Sequence, residues 1–282
     1  IDVSSGELSF KLAPDYETPG DNGGDNVYNL TVTVTDAVGH FDSEDIKVTV
    51  VGVNDNAPAI TNHSSNPTAA LNYAENGTAD VIDWNATDAD GETENGGGLT
   101  YALTGADATL FTLDPATGIL VFNASPDFED KKDVGTNNVY DVIVTVSDAN
   151  SATDVQALAI SITAVNDNAP AIINYSSNPT AALDYAENGT VDVIDWNATD
   201  GDGETENGGG LIYALTGADA SLFTLNTATG ILVFKASPDF EDKKDAGANN
   251  VYDVIVTVSD ANSTTDVQAL AISITAVNDN AP

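Results

Sequence analysis

The chain has 282 residues, and 45 Asp and Glu face seven Lys and no Arg, for a formal net charge of −38. That surplus excludes partners that need a basic face, nucleic acid and anionic membrane surfaces among them. Disorder, the usual fate of so acidic a chain, is excluded by a hydrophobic content of 41% laid out in strand periodicity. Cys is absent, which rules out a disulfide-stapled scaffold and fits a cytosolic protein or a bacterial secreted one. No stretch is long and apolar enough to span a bilayer, so no membrane insertion is expected of this segment. The first residue is Ile, as expected of a mature or excised piece of something longer.

Taken in chain order, residues 1–58 close on the apolar run "IKVTVVG" and the hexapeptide "VNDNAP" at Val53–Pro58. The hexapeptide returns at Val165–Pro170 and Val277–Pro282, each time 112 residues on. Residues 59–170 laid over 171–282 agree at 99 of 112 positions, as a recent tandem duplication would. Within a unit a first strand is expected near "AALNYAE". "DVIDWNAT" then puts Ile82, Trp84 and Ala86 on one face, and "LTYALT" follows. "LFTLDPATGILVFNA" reads as two strands joined by a Pro-Ala-Thr-Gly turn. "YDVIVTVSD" alternates Tyr140, Val142, Val144 and Val146, and "VQALAISITA" alternates Leu158, Ile160 and Ile162. About seven short strands with turn-rich loops predict an all-β fold of tandem Greek-key β-sandwiches stacked end to end. The expected domains are 59–170 and 171–282, preceded by the C-terminal half of a third at 1–58. That half, with the last three or so strands, would expose its core unless upstream sequence or another molecule completes it.

The acidic residues recur at fixed places. "YAENG" carries Glu75 and Glu187; "ATDADG" and "ATDGDG" carry Asp88, Asp90, Asp200 and Asp202. "PDYE" carries Asp15 and Glu17, and "PDFED" carries Asp127, Glu129, Asp239 and Glu241. "TDAV" and "SDAN" carry Asp36, Asp148 and Asp260. Strand alternation sorts these to two poles of a sandwich, so stacked units would bring about seven carboxylates together at each junction, by the alternation rule of sheets. So few cations cannot neutralise them, and repulsion at that density is severe. A hard cation resolves it: calcium takes roughly six to eight oxygens from carboxylates, Asn side chains and carbonyls, whereas zinc or copper would call for His or Cys.

These motifs resemble the ligand motifs of the cadherin repeat family, with XEX as "AEN", DRE as "DFE" or "DYE", DXD as "DAD" or "DGD", XDX as "SDA", and the linker DXNDN as "NDN" before Pro. The resemblance covers both full units and the preceding half. It implies about three calcium ions at each complete junction, each with the six to eight oxygens calcium prefers. At the central junction it implies that Asp127, Glu129, Asp167 and Glu75 hold two ions, with Asp202 bridging from the next unit. Asn166 (through its carbonyl), Asn168, Asp200, Asp202 and Asp260 hold the third, with a backbone oxygen near Asn207. The first junction repeats this with Asp15, Glu17, Asn54, Asp55, Asn56, Asp88, Asp90, Asp148 and the Asn95 region, and Asp36 occupies the matching upstream position. The last copy offers Glu187, Asp239, Glu241 and Asp279. The family's first linker Asp is Gly52, Ala164 or Ala276 here, and the Arg of DRE is Tyr16, Phe128 or Phe240. Neither change removes a principal oxygen donor.

"NDN" alone could be an Asx turn, but three copies with matching partners point to ligands. "DAD" with Gly lacks the flanking helices and the twelfth-position Glu of an EF-hand. Trp84 and Trp196 fall on the apolar face and read as core rather than as adhesive anchors. His40 and His63 are the only histidines, and a catalytic role is not expected of either. Nine N-x-S/T sequons, Asn29, Asn62, Asn76, Asn85, Asn123, Asn174, Asn188, Asn197 and Asn262, matter only in a glycosylating host. The function expected is that of an extracellular or cell-surface, non-enzymatic adhesin extender, a rod stiffened by junction calcium, of the kind found in bacterial giant (RTX-type) adhesins. Self-association, other surface proteins or glycans are its expected partners. The rivals are a filament subunit completed by strand donation between chains, and a carbohydrate-binding module.

Overall fold

A computed structural model describes residues 1–62, 68–175 and 180–279. His63 and the end of the third hexapeptide, residues 280–282, lie outside the described residues. The chain divides into two compact units, Ile1–Thr163 and Ala164–Pro282.

The first unit begins with the hairpin β1 (Val27–Thr35) and β2 (Phe41–Thr49). It continues through β3 (Ala59–Ile60), β4 (Thr68–Ala74), β5 (Ile82–Asp83), β6 (Ala86–Thr87), β7 (Thr100–Thr104), β8 (Phe111–Leu113), β9 (Ile119–Phe122), β10 (Val139–Ser147) and β11 (Thr153–Thr163). A four-stranded sheet has the order β4-β11-β10-β7, with β4 parallel to β11 and the rest antiparallel. Facing it are a three-stranded sheet β5-β9-β8 and the short pair β3-β6. The second unit repeats this as β12 (Ala171–Ile172), β13 (Thr180–Ala186), β14 (Ile194–Asp195), β15 (Ala198–Thr199), β16 (Ile212–Thr216), β17 (Phe223–Leu225), β18 (Ile231–Phe234), β19 (Val251–Ser259) and β20 (Thr265–Thr275). The only helical turns among the described residues are single 3-10 turns at Ala108–Leu110 and Ala220–Leu222.

Period-two alternation fixes which face is buried. On β10, Tyr140, Val142, Val144 and Val146 are buried while Asp141 and Ile143 face out, as the sequence predicts. Leu158, Ile160 and Ile162 do the same on β11. Their opposite wall is Trp84, Leu99, Tyr101, Phe111 and Leu120. Trp84 and Trp196 are wholly buried, in agreement with the core reading. The turn between β8 and β9 is held by Asp114 Oδ1, which accepts from the N–H of Ala116 at 2.8 Å, and it ends at Gly118 with φ +76°. A Cβ on Gly118 would lie 2.7 Å from the Trp84 carbonyl, so glycine is required there by contact as well as conformation.

Two expectations shift. "DVIDWNAT" is not one strand: Ile82–Asp83 pairs with β9 and Ala86–Thr87 pairs with β3, so the chain changes sheets across Trp84. The bend lets the indole fill the space between the sheets. Segment 1–58 contains two strands rather than three or so. Leu8 and Phe10 stand 112 residues before Leu120 and Phe122 of β9, but the ladder partners of β9 have no counterparts in 1–58. Accordingly Leu30 and Val34 are exposed where their counterparts Val142 and Val146 are buried.

Truncating Trp196 tests the wall-to-wall core. Trp196→Ala should destabilise the unit Ala164–Pro282 by about 3–5 kcal/mol, read as a lower midpoint with unchanged slope in denaturant melts.

Candidate metal centres

The acidic loops are positioned by backbone hydrogen bonds to their own carboxylates. After β6 the chain turns at Asp88, whose Oδ1 accepts from the N–H of Asp90 at 2.7 Å. Asp90 then reaches the linker: Oδ2 accepts from the N–H groups of Asp55 (3.1 Å) and Asn56 (2.7 Å), and Oδ1 accepts from Asn56 Nδ2 (2.9 Å). Asp202 makes the same three bonds with Asp167 and Asn168, at 3.1, 2.8 and 3.0 Å. The "NDN" linker is therefore stitched to the domain that follows it.

Around Asp90, one carboxylate oxygen each from Glu17, Asp55 and Asp90 lie within 4.8 Å of one another. The ionised form of Glu17 suffers for it: partial burial, then the charges of Asp90, Asp55 and Asp15, hold its carboxyl above the ordinary range. The Asn56 side chain, ahead of the linker N–H groups, holds Asp90 below it. Asp15 does not join this group. Its Oδ1 caps the N–H groups of Glu17 and Thr18, both at 3.0 Å, as Asp127 caps Glu129 and Asp130 and Asp239 caps Glu241 and Asp242.

A second group joins Asp88, Glu92 and Asp148 within the same spacing. Asn54 donates through Nδ2 to Glu92 Oε1 at 2.7 Å, and its backbone carbonyl accepts from Asn150 Nδ2 at 2.6 Å. Three oxygens around this point, Asn54 Oδ1, Asp88 Oδ2 and Asp148 Oδ2, are buried and have no hydrogen-bond partner. Asp148 is only 6% exposed. Buried oxygens left unpaired cost about 1–3 kcal/mol each, and more when charged. The second unit repeats the group as Asp200, Glu204 and Asp260, with Asn166 Oδ1 and Asp200 Oδ2 again unpartnered. The open oxygen of Asn54 and Asn166 is thus on the side chain, since the backbone carbonyl is taken by Asn150 or Asn262.

The Glu of "AEN" is buried in both copies. Glu75 Oε2 accepts from the N–H of Phe128 at 2.7 Å, and Glu187 Oε2 from that of Phe240 at 2.8 Å. In the first unit the Glu75 and Glu129 carboxylates approach within 4.8 Å; in the second, Asp167 and Asp202 do so, and so do Glu187, Glu241 and Asp279. Asp36 lies in none of these groups. It closes the β1–β2 turn by accepting from the N–H groups of Val38 and His40, with His40 Nδ1 3.0 Å from Oδ2. Asn95 and Asn207 sit in left-handed conformation, φ +59°, and donate their N–H to Ala116 and Ala228. The same loop also brings Glu92 or Glu204 to the carboxylates.

Sequence reasoning missed that Glu, although "GETENGGG" stands identical beside DXD in both copies. It also missed a buried polar frame. Asp107 accepts from the N–H groups of Val134 and Asp141, Asp133 from those of Asn137 and Asn138, and Asn138 Nδ2 holds the Phe128 carbonyl at 2.8 Å. That frame anchors the Asp127–Glu129 loop from behind. The donor set is all oxygen, and the Lys132 and Lys244 ammonium groups pair with Asp130 and Asp242. Convergent orphan oxygens of this kind fit a hard cation such as calcium.

The architecture and these loops define a run of cadherin-like tandem repeats. Solved structures with the same fold include the protocadherin gammaB7 EC3-6 cis-dimer (TM-score 0.66, 20% identity, 90% of this chain and 60% of that one) and mouse cadherin-23 EC22-24 (TM-score 0.64, 19% identity, 94% and 78%). Among curated sequences, human protocadherin gamma-C4 is 30% identical over 294 residues, covering 99% of this chain and 29% of its own length. Human protocadherin Fat 4 is 34% identical over 134 residues, 47% of this chain and 2% of its own. The chain thus spans less than a third of these curated relatives. No family model matches it. The repeats are cadherin-like in fold, and the expected extracellular or cell-surface placement agrees with the extracellular cadherin domains among the solved structures that share it. No helix among the described residues is long and apolar enough to cross a membrane.

The crowding at Glu17 gives a signed expectation. Because its carboxyl titrates above the unfolded value, the folded state binds that proton more tightly, and its ionisation costs stability as pH rises. In chelator near neutral pH, Glu17→Gln should melt higher than the parent. The gap should narrow as pH falls through the Glu17 titration. An unchanged or lower melting temperature at every pH contradicts the crowding.

Proposed function

We propose that the chain is a calcium-dependent extender segment of an extracellular adhesin, with domains 1–58 (partial), 59–170 and 171–282, made rigid by calcium ions at the junctions. The observation that carries this is the set of buried, unpartnered oxygens Asn54 Oδ1, Asp88 Oδ2 and Asp148 Oδ2 beside Glu17, Asp55 and Asp90. By the 112-residue period, Glu129, Asp167 and Asp202 take the places of Glu17, Asp55 and Asp90 at the central junction, with Glu75 added. Asp127, Asn166, Asn168, Asp200 and Asp260 complete the oxygen donors there. The ions supply positive charge and nothing else. The residues do the rest: capping bonds from Asp127 and Asp239 shape the DXE loops, and Asp90 and Asp202 fix the linkers. Carboxylates from consecutive domains then share one counter-charge, and binding energy becomes resistance to bending. Such a rod would project a distal binding domain, which supplies the contacts to surface proteins, glycans or further copies. The absence of Arg and Cys and the near-identity of the copies favour a bacterial giant-adhesin setting.

Calcium should raise the melting temperature and lengthen the particle in solution scattering, and chelator should reverse both. Asp167→Ala should blunt this response more than Asp279→Ala, because Asp279 has no following domain in the chain. Equal effects would contradict sharing between domains.

A second reading, completion of 1–58 by strands from another chain, draws on the uncovered face of β1 and β2, where an apolar hollow is lined by Leu8, Phe10, Leu12, Tyr28, Leu30 and Val48. Concentration-dependent association lost on Leu30→Asp would support it, and a monomer at all concentrations would remove it.

A further inference from the structure

We propose that Glu92 and Glu204 are cation ligands, delivered by the glycine-rich loop as a third carboxylate at the Asn54/Asp88/Asp148 and Asn166/Asp200/Asp260 centres. This deepens the calcium reading and rests on it. The motifs that mark the other ligands contain no such residue.

Three observations carry the assignment. Glu92 lies within 4.8 Å of both Asp88 and Asp148 at the point where Asp148 Oδ2, in a side chain 6% exposed, has no partner. The carboxylate grouping recurs at Glu204 with Asp200 and Asp260, where Asn166 Oδ1 and Asp200 Oδ2 are the unpartnered oxygens. The loop is also built to place this side chain. Its neighbour two residues on, Glu94, accepts from the Tyr101 hydroxyl at 2.5 Å and the Ala86 N–H at 3.0 Å, which clamps the loop to the core. Glu206 does the same with Tyr213 (2.6 Å) and Ala198 (2.9 Å). Bridges from Thr93 to Gly97 and Gly98 close the loop on itself. Gly98, at φ +115°, leaves the room that the Glu92 side chain occupies: a Cβ there would stand 2.8 Å from Glu92 Cδ. Clamped on one side and cleared on the other, Glu92 is held beside the carboxylates of Asp88 and Asp148.

Its two oxygens each accept one hydrogen bond: Oε1 from the Asn54 amide at 2.7 Å, and Oε2 from the N–H of Ala149 at 3.3 Å. Gln could keep the first bond but would turn a donor toward the Ala149 N–H, so it gives up the longer bond together with the charge. The charge is what a ligand needs, because each added carboxylate raises the affinity of an oxygen site for a hard cation.

The test uses the full 282-residue chain. Glu92→Gln/Glu204→Gln is titrated with calcium by calorimetry and with terbium by Tyr- and Trp-sensitised luminescence, and is melted in chelator. The proposal expects at least about tenfold weaker binding in one class of sites, the other classes unchanged, and a melting temperature in chelator equal to or above that of the parent, since repulsion is relieved. Superimposable isotherms, or a lower melting temperature in chelator, overturn it. If the double variant fails to fold, Glu92→Asp/Glu204→Asp keeps the charge but withdraws it by one methylene; unchanged affinity there overturns it equally. A parent chain that binds no calcium sinks the junction reading itself, whereas a parent that binds normally beside an unaffected variant sinks this inference alone.

Discussion

Oxygen without counter-charge is the constraint on which this molecule is organised. With seven Lys against 45 acidic residues, the chain cannot neutralise its carboxylates from within. The Lys132 and Lys244 ion pairs are spent on Asp130 and Asp242 at exposed positions, where such pairs contribute little. Among the described residues no ion pair reaches Asp88, Glu92 or Asp148. The sandwich cores are ordinary: two walls of alternating apolar side chains around a tryptophan. What is unusual lies at the strand ends, where folding gathers acidic groups instead of dispersing them.

Hydrogen bonds within the chain already solve part of that problem. Asp90 and Asp202 each take two linker N–H groups and an Asn amide. A carboxylate that accepts several such bonds is stabilised as the anion, and the linker loses freedom in the bargain. Glu17 has no comparable set of donors and stays crowded. The first linker therefore has a preformed half, fixed to the loop of Asp90, and a repelling half around Glu17. A cation would act chiefly on the second.

Much of this was legible in the sequence because sheet burial has period two. Tyr140 to Val146 and Leu158 to Ile162 announce their inward faces by alternation alone. The repeat spacing exposed the acidic motifs in the same way. Alternation could not show the change of sheets across Trp84, since Ile82, Trp84 and Ala86 keep a strand-like rhythm through a bend that only the facing wall dictates. Nor could it show Asp107, whose burial is repaid by the distant N–H groups of Val134 and Asp141, or Asp133 and Asn138, which are satisfied by the Asn137 and Asn138 N–H groups and by the Phe128 carbonyl. Glu92 was illegible for a related reason. In a loop with glycines at positive φ, residue spacing no longer specifies direction, and whether Glu92 or Glu94 meets the other carboxylates depends on which one the Tyr101 hydroxyl claims.

The two near-identical copies act as an internal control on what the carboxylates are for. At the β8–β9 turn, Asp114 in one copy is Asn226 in the other, and both cap the following N–H groups, at 2.8 Å to Ala116 and 3.0 Å to Ala228. Where an acidic side chain only closes a turn, its charge is dispensable. At Asp88/Asp200 and Asp148/Asp260 the acid is retained in both copies, although Asn could cap the same N–H groups. One of the 13 differences does touch a centre: Ala152 is replaced by Thr264, whose hydroxyl donates to Asp260 Oδ2, the oxygen that is unpartnered in Asp148. A hydroxyl at that position quiets one orphan oxygen and leaves Asn166 Oδ1 and Asp200 Oδ2 open. Turn geometry alone therefore does not account for the charge at these two pairs of positions.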